Sequence, residues 1–352
     1  MPGILSWIRH KLGPERPGPG VPSSQSPASA SHSGHRLLSA STGNPIDSSP
    51  LLAKLEEHLF CWLLDSSPRK LAEPSPVTGK VLRELESRLE SNRLSELPRQ
   101  PLTLPTLMRT LANETTSRKE VTRIILSDAS LTSQVLQVAN SPFFKVGDQP
   151  VETVDQAVFL LGLDGVRNVA SASVMRPMLA ARNSTEANFA QRVWRWGLTC
   201  ARSAELIALT GGQESTSYFM VGLLPALAYL TLRREVQAIV ERQFPDQQPT
   251  AQMYHEAMAR FQWTTAQKIA RAWHLPPRYH ALLLTAERPV PGQAHSPLND
   301  GIVLGTREML RDAHQRNLGD EELQGLLSIG EHQLGKIRHL LSRLLAEGLS
   351  SR

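Results

Sequence analysis

The stretch that decides the fold runs SDASLTSQVLQVANSPFF over residues 127–144 and resumes as PVETVDQAVFLLG over residues 150–162. Asp128 or Ser130 can cap a helix, because a short oxygen-bearing side chain accepts from a free amide of the first turn. Leu131, Val135, Leu136 and Val138 then recur at three- and four-residue steps, which places them on one face. Asn140-Ser141-Pro142 stops this helix. An Asn side chain bonds backbone groups at a tight exit, and Pro142 has no amide with which to continue. Phe143 and Phe144 are suited to fill apolar gaps. Thr153 or Asp155 opens a second helix carrying Val154, Ala157, Val158 and Leu161, and Gly162 is expected to end it.

The same period spreads outward. Leu52, Leu55, Leu59 and Leu63 form a stripe in a helix that is expected to begin near Leu51 and end at Pro68, with Pro74 and Pro76 prolonging the break. Val81, Leu82, Leu85 and Leu89 form the next stripe, with Glu84 and Arg88 at the favourable i,i+4 spacing. Leu97-Pro98, Pro101 and Leu104-Pro105 make a proline-punctuated entry into the central region. Leu198, Ala201, Ala204, Ile207 and Ala208 form a further stripe, and the tail carries Leu323, Leu326, Leu334, Ile337, Leu341 and Leu344. No stretch alternates as a half-buried strand does, and no repeat of 20–50 residues is present. Aromatic residues are only 5% of the 352, which also favours helices over sheets. The fold class is all-α.

Residues 13–50 contain 22 Gly, Pro or Ser, a composition too poor in apolar surface to offset its ordering entropy. They form a flexible linker in this reading. Ahead of it Ile4, Leu5, Trp7 and Ile8 share one face of a short helix, with Arg9 and Lys11 interleaved. That peptide is either a weak surface contact or a frayed terminus. Cys61 and Cys200 are too few for a disulfide framework or a thiolate metal site. No run approaches the length of a membrane span, and the N-terminus lacks the apolar core of a signal peptide, so a cytoplasmic location is expected. The net charge of +5 is mild for this length.

The common catalytic patterns are missing. Neither GxGxxG nor GxxxxGK[ST] nor GxSxG occurs. The eleven histidines include no His-x-x-x-His and no His-Asp pair, and none lies between His58 and His255. Arg192, Arg195, Arg202, Arg233 and Arg234 supply some basic character, for which a solvated helix face is a simpler account than nucleic-acid binding.

The opening segment closely resembles the signature of the HDOD family, the HD-related output domain of bacterial signalling proteins. The residues that carry the resemblance are Asp128, Leu131, Ala139-Asn140-Ser141, Phe144, Ala157 and Leu160-Leu161-Gly162, with Leu104-Pro105 at the entry. It continues through Val193-Trp194, Gly222-Leu223-Leu224 and Trp273-His274-Leu275-Pro276. The resemblance implies a multi-helix HD-like orthogonal bundle. The chain then divides into a flexible peptide and linker (1–50), two accessory helices (51–95), the HDOD domain (96–290) and C-terminal helices (291–352).

Catalytic relatives in the HD superfamily hold metal through a first His, a His-Asp doublet, later His residues and a last Asp. Carried onto this chain, those positions fall at Trp196, at Pro225-Ala226, at Ala286-Glu287 and, for the last, at Thr306. Only Glu287 has a side chain suited to ligate an ion. The resemblance therefore implies no catalytic residue, no metal and no cofactor. It implies a signalling module that meets protein partners, in the control of cyclic-di-nucleotide signalling, motility or attachment. The alternative is a metal-dependent phosphohydrolase with a rearranged site, built from His255, His274, His280 and Glu287. No specific nucleic acid is expected as a partner.

Overall fold

The computed structural model describes residues 48–98, 117–141, 144, 149–175, 179–287 and 295–349. Leu104 and Pro105, Phe143, and the N-terminal peptide with Ile4, Leu5, Trp7 and Ile8 lie outside the described residues. Among the described residues all regular structure is helical: α1 (Ser48–Leu63), α2 (Pro68–Leu71), α3 (Thr78–Glu90), α4 (Arg118–Leu126), α5 (Ala129–Ala139), α6 (Val154–Met175), α7 (Ser184–Thr210), α8 (Thr216–Gln243), α9 (Ala251–Ala272), α10 (Pro277–Glu287), α11 (Pro297–Asp312), α12 (Asp320–Leu326) and α13 (Glu331–Leu349).

Short polar side chains start these helices. Ser117, Asp128, Asn183, Thr250 and Ser296 each accept from an amide of the first turn, which satisfies one of the donors a helix start leaves open. Of the two candidate caps for α5, Asp128 does the work, accepting from the amide of Leu131 at 3.0 Å.

Three expectations change in detail. Helix α1 begins at Ser48, with Pro50 in its first turn, rather than near Leu51, and Pro is tolerated there because that amide has no partner in any helix. It ends at Leu63, and Asp65 takes a left-handed φ of 50°. Pro68 therefore does not end a helix. It opens the single turn α2, capped by Ser67. The region before residue 95 thus holds three helices. Gly162, with φ 71° and ψ 175°, sits inside α6 and breaks it sharply, but helix resumes at once on its far side. A side-chain-bearing residue is strained in that conformation, so the break needs glycine.

The core is organised around α7. Its small residues Gly197, Cys200, Ala201 and Ala204 let two neighbours approach at backbone distance. On α8, a Cβ added at Gly222 would lie 2.6 Å from the Ala201 Cα. On α11, one added at Gly305 would lie 2.5 Å from the Cys200 Cα, and at Gly301 equally close to the Ala204 Cα. The C-terminal helix α11 is therefore packed into the middle of the molecule.

The accessory helices join the same core. Leu55, Leu59, Phe60, Trp62 and Leu63 of α1, and Val81, Leu82, Leu85 and Leu89 of α3, are buried in one cluster with the central helices. Glu235 of α8, wholly buried, accepts from Arg88 at 3.1 Å and from the backbone amide of Glu96 at 2.6 Å. It ties α3 and the segment that follows to the bundle.

Candidate functional site

The basic residues first considered for nucleic acid do not form a solvated face. Arg192 donates to the Trp62 carbonyl and to Asp65. Arg195 pairs with Asp312 at 2.9 Å, the buried Arg202 with Glu205 at 2.5 Å, and Arg234 with Glu186 at 2.8 Å. Arg233 lies between the rings of Phe189 and Tyr254, 4.5 Å from each centroid. Such cations hold helices together; the pairing and stacking occupy the charge that a phosphate would need.

Asn140 and Ser141 stand at the end of α5. The Asn140 amide nitrogen donates to the Leu136 carbonyl at 2.9 Å and to the Val151 carbonyl at 2.7 Å, and its side-chain oxygen accepts from the Val151 amide at 2.7 Å. The side chain thus replaces a strand partner for Val151 and clamps the start of α6 to the end of α5. Ser141 donates to the Val138 carbonyl at 2.6 Å. Leu131, Ala157 and Leu161 are buried, and buried Phe144 meets Phe219 edge-on with centroids 6.1 Å apart. The signature residues thus meet as a packing unit among α5, α6 and α8.

The positions onto which the resemblance carries the metal-binding pattern lie on α7, α8, α10 and α11. Trp196 of α7 is one of the largest fully buried side chains. Its indole N–H donates to the Thr306 hydroxyl of α11 at 2.9 Å, so Trp196 and Thr306 meet. The indole also stacks flat on Tyr229 of α8, with centroids 4.9 Å apart and planes 2° apart. Tyr229 meets Phe60 of α1 at 5.5 Å, and Phe60 meets His255 of α9 at 4.7 Å. Four rings from four helices form one row. Pro225 lies buried inside α8, and the buried Ala226 faces Gly197.

The remaining positions do not approach this row as ligands. Ala286 is buried near the end of α10, and its carbonyl accepts from Asn299 at 3.4 Å. The Glu287 carboxylate accepts from the Gln267 amide. His274 is exposed in the turn between α9 and α10, and His255 packs on Phe60. Among the described residues no three His, Cys, Asp or Glu side chains come together as a metal cage.

Burial governs the ionisable groups here. It pushes the Tyr229 phenol well up, with Glu56 and Cys200 adding to the effect. It pushes the Cys200 thiol up too, against the Thr306 hydroxyl 4.0 Å away. It holds the His255 imidazole below its usual value of 6.5, opposed by Glu256 and Glu57.

These groups do not fit a divalent ion. An indole N–H is a donor without a free lone pair, proline and alanine offer none, and the Thr306 hydroxyl already accepts. A neutral thiol is also the wrong form of a ligand, because metals bind thiolate. Sequence reasoning missed the aromatic row, since Phe60, Tyr229 and His255 are far apart in the chain. The one signal was the absence of histidine between residues 58 and 255.

Solved structures share this arrangement of helices. A proposed metal-dependent phosphohydrolase from Shewanella amazonensis SB2B aligns with a TM-score of 0.57 at 20% identity, over 78% of this chain and 100% of its own. A proposed phosphohydrolase from the same organism aligns with a TM-score of 0.52 at 18% identity, over 76% of this chain and 97% of its own. A proposed signal transduction protein from Marinobacter aquaeolei VT8 aligns with a TM-score of 0.53 at 16% identity, over 78% of this chain and 65% of its own. At such identities the likeness is one of fold. No curated protein matches. No helix among the described residues is long and apolar enough to cross a membrane. Residues 97–289, more than half the chain, match the model of the HDOD domain, and the chain belongs to the HDOD family.

Proposed function

We propose that the chain is a non-catalytic HDOD module that acts in bacterial signal transduction through contacts with protein partners. The observation that carries this reading is the Trp196 side chain, stacked on Tyr229 and bonded to Thr306, at the position onto which the resemblance carries the first histidine. An ion that activates water must have ligands with free lone pairs. Indole, pyrrolidine and methyl groups supply packing instead. A module of this kind transmits a signal by making different contacts in different states.

The names of the similar structures include both phosphohydrolase and signal transduction protein, so the test is turnover. The purified full chain, supplied with manganese or magnesium, is expected to hydrolyse neither simple phosphate esters nor cyclic dinucleotides above the protein-free rate. Turnover that a chelator abolishes, and that survives further purification, overturns the reading in favour of a phosphohydrolase with a rearranged site.

A further inference from the structure

Half of the 22 described arginines are paired with acid within the fold. Among the described residues eleven of them reach a carboxylate. The corner between α9 and α10 belongs to the other half. From Ala257 to Ala286 the chain has no Asp or Glu, yet it carries Arg260, Lys268, Arg271 and Arg278. Arg260 reaches back to Glu256 at 2.8 Å. The other three have no carboxylate within ion-pair distance among the described residues. Lys268 donates to the Asn92 side chain at 2.5 Å. Arg278 lies 5.1 Å from the Tyr279 ring centroid and is otherwise exposed, as is Arg271.

Lys268 and Arg271 share the last turns of α9, and Arg278 opens α10 just past the turn. Lys268 and Arg271 are one helical turn apart, where like charges repel. Burial and the Arg271 guanidinium hold the Lys268 ammonium below its ordinary value. The turn from α9 to α10 is tight: His274 has a left-handed φ of 50°, the Leu275 amide donates to Ala270 at 3.0 Å, and the Tyr279 amide donates to Pro276 at 2.9 Å. Trp273, fully buried, anchors the turn by donating to the Pro98 carbonyl at 2.9 Å. Beside it, the outer face of α10 exposes Ala281, Leu284 at 46% and Thr285.

We infer that this corner docks an acidic amphipathic segment of a partner protein, its carboxylates meeting Lys268, Arg271 and Arg278 and its apolar side lying on Ala281 and Leu284. The inference rests on the interaction-module reading and names the chemistry of the partner. Charge complementarity selects the anion, and the adjoining apolar strip selects a protein over a bare polyanion. Three cations are few for nucleic acid, whose binders neutralise about 6–10 phosphates. The nearby rings of Trp273 and Tyr279 are buried and offer no base a platform. Membrane recruitment by charge commonly takes clusters of about 4–8 basic residues.

The test uses the full chain and four probes. They are a labelled synthetic helix with Glu on one face and Leu on the other, its Gln-for-Glu twin, a single-stranded DNA, and phosphatidylglycerol vesicles. Titrations are followed by anisotropy or co-sedimentation. The acidic helix is expected to bind with an affinity that falls as salt rises, while the Gln twin binds at least about tenfold more weakly. Lys268→Glu/Arg271→Glu/Arg278→Glu abolishes binding, Leu284→Ser weakens it, and the milder Lys268→Gln/Arg271→Gln/Arg278→Gln gives the same loss should the reversal fail to fold. Charge reversal of the exposed Arg83 on α3 leaves binding unchanged. Acidic-helix binding that survives the Gln variant, absence of binding, or tighter binding of DNA or vesicles each overturns the inference. The proposed function falls only on chelator-sensitive turnover, so the two failures are distinct.

Discussion

The indole N–H of Trp196 donates to the Thr306 hydroxyl at 2.9 Å across the α7–α11 interface. One partner comes from the family-matched region and the other from the C-terminal helices beyond it. The bond is buried on both sides, so water cannot replace either partner. Thr306→Val keeps the shape and orphans the indole, which is expected to cost about 1–3 kcal/mol. Trp196→Phe in that background removes the orphaned donor, so the double variant loses less than the two single losses added together. Chemical denaturation of the four proteins measures the coupling, and strict additivity contradicts a direct bond.

Asn140 makes three side-chain bonds to the backbone of Leu136 and Val151. Asn140→Ala is expected to lower stability by about 1–3 kcal/mol, because the amide and the carbonyl of Val151 both lose their partner. Asn140→Asp is also destabilising, since it sets a carboxylate oxygen against two carbonyls. A thermal unfolding midpoint unchanged in both variants removes the clamp role.

The glycines of α11 and α13 are expected to respond in opposite ways to alanine. At Gly305 the new Cβ would fall 2.5 Å from the Cys200 Cα, a backbone atom that cannot give way cheaply. Gly305→Ala therefore drives α11 from α7 and costs roughly 1–3 kcal/mol or more. At Gly335, on exposed helix, nothing lies within 4 Å. Gly335→Ala stabilises by roughly 0.5–1 kcal/mol through backbone entropy and helix propensity. Denaturation midpoints shifted in the same direction for both variants rule out this packing.

His255 and His58 predict a loss of stability in mild acid. Burial holds both imidazoles below the usual value of 6.5 in the folded protein. In the unfolded chain they take protons near that value, so just below it the unfolded state binds more protons and stability rises with pH. Their contribution is complete above about pH 6.5 and is lost progressively as the pH falls toward the folded values. The unfolding midpoint should decline across that window in the wild type. His255→Phe, which preserves the ring beside Phe60, should flatten the decline in part. An identical slope in the variant shows that His255 does not titrate there.

The helix starts were legible because they are local. Asp128, three residues ahead of the Leu131 amide it caps, announces α5 to any reader of the chain. Pro68 shows the limit of that logic. A proline that cannot continue one helix is well suited to begin another, and the choice was made by Ser67 and by the left-handed turn at Asp65. Arg192, Arg195 and Arg234 were misread for a related reason. Their partners Asp65, Asp312 and Glu186 lie 48 to 127 positions away, beyond any helical spacing.

By itself the sequence determined that the described elements are helical, where α5 and α6 begin, and which family signature joins them. Those properties depend on side chains within a turn or two of one another. It also supplied the positions onto which the resemblance carries the metal-binding pattern. Only the tertiary structure decided what the residues there do. The row of Trp196, Tyr229, Phe60 and His255 is drawn from four helices, and the close seating of α11 on α7 depends on glycines facing small residues some hundred positions away. Packing complementarity across such separations arises only when the helices meet, because each surface is apolar or small for reasons that its own helix does not contain.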